Sequence, residues 1–310
     1  MSRCPASMRG GCRRFWARRW TAEMVFDRIP PDWPYRDRAR RIASPPHDWC
    51  VIDAGEGPTL LLLHGAGGSG HSFRKLIPFL TPRYRVIVPD LPGQGFTCSG
   101  ARGRYGIDPM AEDIVALCRK LDLSPLAVIG HSAGAALALR LSDFLPLKGI
   151  IGINAALGAF EGAAGVLFPL LARVLAVTPF IPHVVARLWG HAATVNRLLE
   201  STGSRLDAEG QAQYLTLVRD AAHVDGTLGM MAQWRVDDLM AQPRPAATPA
   251  LLIASTGDMA VPARVSRDAA RLLKGARYAE LPAFGHLVHE EAPEAVAELI
   301  LPWLDALPRG

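Results

Sequence analysis

The chain has 310 residues, 49% of them hydrophobic and 20% charged, with 34 Lys and Arg against 29 Asp and Glu. Such a composition builds a globular protein with a substantial core, in one large domain or two smaller ones, and excludes a disordered, collagen-like or disulfide-scaffold chain. The net charge of +5 is local, because Arg3, Arg9, Arg13, Arg14, Arg18 and Arg19 face only Glu23 within residues 1–23 and the two signs balance over the remainder; no basic face argues for a nucleic-acid partner.

Residues 1–44 read as an N-terminal extension, basic and disordered over 1–23. Trp16 and Trp20 would let this arm touch anionic lipid or nucleic acid, yet it lacks the continuous apolar stretch of a secretory signal. A start at Met24 is the favoured account of it. The five cysteines (4, 12, 50, 98 and 118) are odd in number and unpatterned. They imply a reducing compartment, hence a cytoplasmic protein, with thiols as packing residues.

The first predicted strand is 49–52, followed by a turn at 55–58 and a second strand at 60–63. A short helix over 72–80 leads to a strand at 85–90 and a tight loop at 91–96. Asp108 and Pro109 form a helix start, cap and then proline, for a helix whose apolar stripe is Met110, Ile114, Leu117, Cys118 and Leu121. A strand at 126–129, a helix at 135–141 and a strand at 149–153 follow. Further strands stand at 251–254 and 278–282. Strands without polar alternation, separated by helices, predict the α/β class with a mostly parallel sheet covered on both faces.

That rhythm stops over about 157–247. The stretch 166–181 is very apolar, but it is too short to span a membrane and Pro169, Arg173 and Pro179 interrupt it. Helical character returns at 196–200, 211–219 and 227–234. We read 158–247 as a helical cap inserted into a core made of 45–157 and 248–310. Phe160, Leu167, Phe168, Met230, Met231 and Trp234 are its candidate lining for a large, oily ligand, although such residues more often pack a core.

Gly130-His131-Ser132-Ala133-Gly134 has the G-x-S-x-G form of a nucleophile elbow, with an apolar strand before it and a helix-forming run after it. A serine hydroxyl needs a histidine to take its proton and a carboxylate to orient that histidine. Asp258 follows the strand at 251–254 and His286 follows the strand at 278–282, which gives the order Ser, Asp, His on loops at strand ends. The oxyanion donors are expected from the amides of Ala133, next to the nucleophile, and Ala66, in His64-Gly65-Ala66-Gly67-Gly68. His64 itself reads as a structural residue of that loop. No phosphate-binding loop, dinucleotide fingerprint, H-E-x-x-H or C-x-x-C occurs, and no metal or cofactor is called for.

Over about 45–306 the chain resembles the α/β-hydrolases, and more closely the magnesium chelatase accessory proteins of bacteriochlorophyll biosynthesis. The matching stretches include Trp33-Pro34, Leu61-Leu62-Leu63-His64-Gly65, His71-Ser72-Phe73-Arg74 and Asp90-Leu91-Pro92-Gly93. They continue through the elbow, Asn154-Ala155-Ala156-Leu157, Thr202-Gly203-Ser204, His223-Val224, Met230-Met231-Ala232-Gln233-Trp234 and Gly285-His286-Leu287-Val288-His289-Glu290-Glu291. Gln94 departs from the pattern, since such proteins usually carry histidine there.

The resemblance implies a role in photosynthetic pigment synthesis, at or near magnesium insertion into protoporphyrin. It implies as partners a hydrophobic small molecule such as a porphyrin and the magnesium chelatase subunits, with membrane contact at most peripheral. Chelation itself needs no acyl nucleophile, so three readings stand. The protein is a serine hydrolase of that pathway, a non-catalytic porphyrin-binding or handover protein in which His223 is an axial ligand or a hydrogen-bonding residue, or a carboxylesterase outside pigment metabolism.

Overall fold

The computed structural model of the chain describes residues 28–158, 180–236, 239–240 and 248–308. Eight strands among them form one sheet: β1 (Ala39–Ser44), β2 (His47–Ala54), β3 (Thr59–Leu63), β4 (Arg85–Pro89), β5 (Ala127–His131), β6 (Gly149–Ile153), β7 (Ala250–Ser255) and β8 (Arg277–Leu281). Their order is β1-β2-β4-β3-β5-β6-β7-β8. β2 runs antiparallel to β1 and β4, and every other neighbouring pair is parallel. The helices are α1 (Ile77–Leu80), α2 (Ile107–Lys120), α3 (Ala133–Leu141), α4 (Ile181–Trp189), α5 (Ala192–Ser201), α6 (Ala208–Arg219), α7 (Ala221–Gln233), α8 (Ala263–Leu272), α9 (Val288–Glu291) and α10 (Pro293–Asp305).

The run of leucines in β3 shows why the strands lack polar alternation. Successive side chains of a strand point to opposite faces. Leu61 and Leu63 pack with Met110, Ile114 and Leu117 of α2 and with Leu137 of α3. Leu60 and Leu62 pack with Leu80, Val296, Ile300 and Trp303 on the other side. Both faces are dry, so both must be apolar.

Three details differ from the sequence reading. β1 is an additional strand; its partly exposed edge, with Arg40 and Arg41, hides the signal of a buried strand. The helix expected over 72–80 divides into a 3-10 turn, Gly70–Phe73, and α1. Pro78 explains the division, since it has no N–H to give Arg74 and its ring would strike that carbonyl. The next helix, α2, begins at Ile107 with Gly106 as its cap, while Asp108 pairs with Arg140 at 2.8 Å.

The helical segments expected over 196–200, 211–219 and 227–234 fall in α5, α6 and α7, between β6 and β7. Cys50 and Cys118 are buried free thiols, and burial pushes the Cys118 pKa up to about 12. No helix among the described residues is long and apolar enough to cross a membrane.

Candidate active site

Ser132 occupies the turn between β5 and α3 with φ 51° and ψ −117°. A non-glycine residue held there stores about 1–3 kcal/mol of strain and persists only where its surroundings fix it. The two flanking glycines are part of that fixing. A Cβ on Gly130 would lie 2.2 Å from the Gly134 carbonyl oxygen, and one on Gly134 would lie 2.1 Å from that of Leu63. The half-buried Ser132 also donates its amide to Ile153 O at 2.9 Å, which ties the turn to the end of β6.

Asp258 and His286 come together on neighbouring loops, after β7 and after β8. The His286 Nδ1 lies 2.7 Å from Asp258 Oδ2. The other carboxylate oxygen accepts from the Ala260 and Val261 amides, each at 2.8 Å. The aspartate side chain is fully buried and the imidazole 12% exposed. A proton on Nδ1, donated to this carboxylate, leaves Nε2 as the basic atom of the ring, as a general base requires.

Residues outside the expected triad position it. Asn154, buried at φ 45°, donates from Nδ2 to the carbonyls of His286 (2.9 Å) and Gly285 (3.1 Å) and to Ser255 Oγ (2.8 Å). Its Oδ1 accepts from the Ser255 amide at 2.8 Å. His131 also donates to the His286 carbonyl, at 2.8 Å. Because Asn154 follows Ile153, one short segment holds the main chain of both Ser132 and His286. From the far side, Thr202 O accepts the amides of Met259 (3.1 Å) and His286 (3.2 Å), and Ser204 Oγ accepts that of Leu287 at 2.8 Å. In the sequence Asn154 and Thr202-Gly203-Ser204 stand only as stretches that carry the family resemblance, and nothing local marks them for this task.

The loop bearing Ala66 packs against the elbow. A Cβ on Gly65 would stand 3.0 Å from Ser132 Cβ and 2.9 Å from His131 Nδ1. Within its turn the Gly68 amide donates to Gly65 O (3.1 Å) and the Gly67 amide to Gln94 Oε1 (2.7 Å), while Ala66 is exposed. Ala133 is the first residue of α3, where an amide has no partner within the helix. His64 is spent on the loop: Nδ1 donates to Gly65 O at 2.8 Å and Nε2 accepts from Leu91 at 2.9 Å. Burial lowers its pKa to about 4.

The helices between β6 and β7 reach this loop directly. His223 of α7 accepts from the Gly95 amide at 2.9 Å and donates to Gly67 O at 3.2 Å, so both ring nitrogens are occupied. Burial lowers its pKa to about 4 as well. Gln94 Nε2 donates to Met230 Sδ at 3.0 Å. Of the six expected lining residues, Met230 is buried in the core, while Met231 and Trp234 are half-buried, Trp234 against that same core. Phe160, Leu167 and Phe168 lie outside the described residues.

Four residues after His286, Glu290 is fully buried between Arg74, its ion-pair partner, and the Tyr214 hydroxyl, which donates to it at 2.8 Å. Burial raises its pKa to about 7 against the pull of Arg74.

The family described as alpha/beta hydrolase fold matches residues 58–293. The magnesium-chelatase 30 kDa subunit of Rhodobacter capsulatus is 52% identical over 279 residues, covering 89% of this chain and 98% of that protein. The pyrrolizixenacetamide deacetylase of Xenorhabdus hominickii is 27% identical over 264 residues, 81% of this chain and 92% of its own. Among solved structures, a thermophilic esterase of Thermogutta terrifontis superposes with a TM-score of 0.65 at 23% identity, over 86% of this chain and 96% of that one. This last likeness is one of fold.

Proposed function

The chain belongs to the alpha/beta hydrolase fold family, and from that premise we propose that it is a serine hydrolase of chlorophyll or bacteriochlorophyll synthesis, assisting magnesium insertion into protoporphyrin. The observation that carries the chemical half is the 2.7 Å bond between His286 Nδ1 and the buried Asp258, on loops tied by Asn154 to a strained Ser132. The pathway half is supported by the relative that shares 52% of its residues and is named as a magnesium-chelatase subunit.

In this reading Ser132 Oγ attacks an ester-like carbonyl of a hydrophobic substrate while His286 Nε2 removes the hydroxyl proton. The Ala66 and Ala133 amides hold the oxyanion of the tetrahedral intermediate. Its collapse expels the leaving group, which takes the proton from His286, and leaves an acyl-serine. Water, deprotonated by the same imidazole, then releases the acid and restores Ser132. Asp258 keeps Nδ1 protonated and stabilises the imidazolium throughout. The helices of 158–247 act as a cap over the strand ends, and the chelatase subunits are the proposed protein partners, met in the cytoplasm.

The test is the magnesium-porphyrin and bacteriochlorophyll content of the native host carrying Ser132→Ala, compared with a deletion. Pigment falling as far as in the deletion supports the hydrolase. Wild-type pigment with Ser132→Ala, set against loss in the deletion, would leave a binding or handover role and remove the chemistry.

A further inference from the structure

Five of the eight large apolar side chains exposed among the described residues fall between positions 180 and 198: Phe180, Val184, Leu188, Trp189 and Leu198. Phe180, Val184 and Leu188 recur every four residues and so share one face at and along α4. Phe180 is 75% exposed, Leu188 63% and Trp189 50%. The helix is nonetheless anchored, for Pro182 and Ala186 on its other side are buried. Its outward stripe is apolar surface that the described fold does not cover.

Along the chain from Phe180 to Leu198 the exposed charges are of one sign, and the first acid, the exposed Glu200, stands at the end of α5. Arg187 and Arg197 are exposed, as are His183 and His191, and the sequence contains no Asp or Glu between Glu161 and Glu200. A second copy of this chain docked face to face about a two-fold axis would bring these arginines together with Glu200 as the one acid of α4 and α5 to pair them. An anionic lipid surface meets every requirement: it accepts aromatic and aliphatic side chains at the headgroup boundary and pairs arginine with phosphate.

We propose that the outward face of α4, extended by Leu198 of α5, docks on an anionic lipid membrane. The docked helix packs on α7, whose His223 holds the Gly67 carbonyl of the loop beside Ser132. A lipid-borne ligand would therefore meet the site through the helices that touch the membrane. This deepens the cytoplasmic placement proposed above and is independent of whether Ser132 turns over.

The experiment is co-sedimentation of the full chain with vesicles of phosphatidylcholine alone, or of equal parts phosphatidylcholine and phosphatidylglycerol. The expected result is binding to the anionic vesicles that weakens with added salt. It should fall by about tenfold or more in Val184→Glu/Leu188→Glu, and weaken in Arg187→Glu/Arg197→Glu. Circular dichroism and melting curves matching wild type establish that these surface variants fold. Ser132→Ala should bind like wild type, so failure of the hydrolase reading leaves this one standing. The proposal is overturned by absence of binding to anionic vesicles, or by wild-type binding of the Val184→Glu/Leu188→Glu variant, which would assign any affinity to another surface such as the basic segment 1–23. Dissolution of a dimer by that variant with vesicle binding intact would make a second copy the occupant and overturn it equally.

Discussion

Acidification should unfold this protein well before its ordinary carboxylates titrate. Burial holds His64 and His223 near pKa 4 and His289 near 3, and drives His71 and His131 well below the usual imidazole value. A base whose folded pKa is depressed contributes stability that is present above its unfolded pKa of 6.5 and lost as pH falls below it. Each such histidine steepens the pH dependence by about 1.4 kcal/mol per unit, so five give about 7. Two groups oppose them. Burial raises Glu290 to about 7 and Asp90 to about 6, so between their unfolded and folded values the native state holds protons that the unfolded chain has released. They return about 3 kcal/mol per unit, which leaves a net loss of about 4 kcal/mol per unit on going from pH 6 toward 4.5. Over the 1.5 units from pH 6 to 4.5 that slope removes about 6 kcal/mol, enough to unfold a domain at the low end of the usual range of about 5–15 kcal/mol and to strip a more stable one of a large share of its margin. Urea unfolding followed by tryptophan fluorescence at pH 7, 6, 5.5 and 5 measures it. His289→Leu supplies the internal check: neither ring nitrogen of His289 has a hydrogen-bond partner, and its ring packs on Phe73 and His131, so the substitution should remove about a third of the slope. A flat unfolding free energy from pH 7 to 5, or an unaltered slope in His289→Leu, would refute the reasoning.

Ser132→Ala is expected to abolish labelling by a fluorophosphonate probe and to lower kcat/KM on a p-nitrophenyl ester by about 10⁴-fold or more, with the melting temperature little changed. Labelling of the alanine variant would show that a different serine reacts. Asn154→Ala removes one of the donors to each of the Gly285 and His286 carbonyls and leaves the buried Ser255 amide without its acceptor, and should cost about 2–4 kcal/mol together with a drop of about 10- to 100-fold in kcat; wild-type melting and turnover would deny it the positioning role. Gly134→Ala forces a Cβ to within 2.1 Å of Leu63 O and is expected to yield no folded protein, whereas Gly103→Ala, with nothing within 4 Å, should shift stability by no more than about 0.5 kcal/mol. Soluble, wild-type-like Gly134→Ala would contradict the packing at the elbow.

The elements most legible in the sequence are those whose constraints are local. A strand covered on both sides must be apolar at every position, so 60–63 and 149–153 announce themselves. The elbow is legible for a similar reason: Gly130 and Gly134 are set by contacts among residues close in sequence and the strand alongside. β1 is hidden because an edge strand owes burial to one neighbour only, and its arginines look like loop. The bonds that join Asn154 to Ser255 and His286 span 101 and 132 residues, and nothing local marks an asparagine for such a task.

The residues that would name a substrate are the least legible, for a physical reason that the helices between β6 and β7 make plain. A helix there needs only one face to pack, and its periodicity does not say which apolar face turns inward. Met230, a candidate for the ligand from its sequence, is buried with its sulfur against Gln94. Phe180 and Leu188, in or beside a segment that reads simply as apolar, face outward. Strands tolerate no such freedom, because both of their faces are already spoken for. The sheet and elbow therefore record the fold family, while the interposed helices, obliged on one side only, are free to answer to whatever ligand or surface the protein meets.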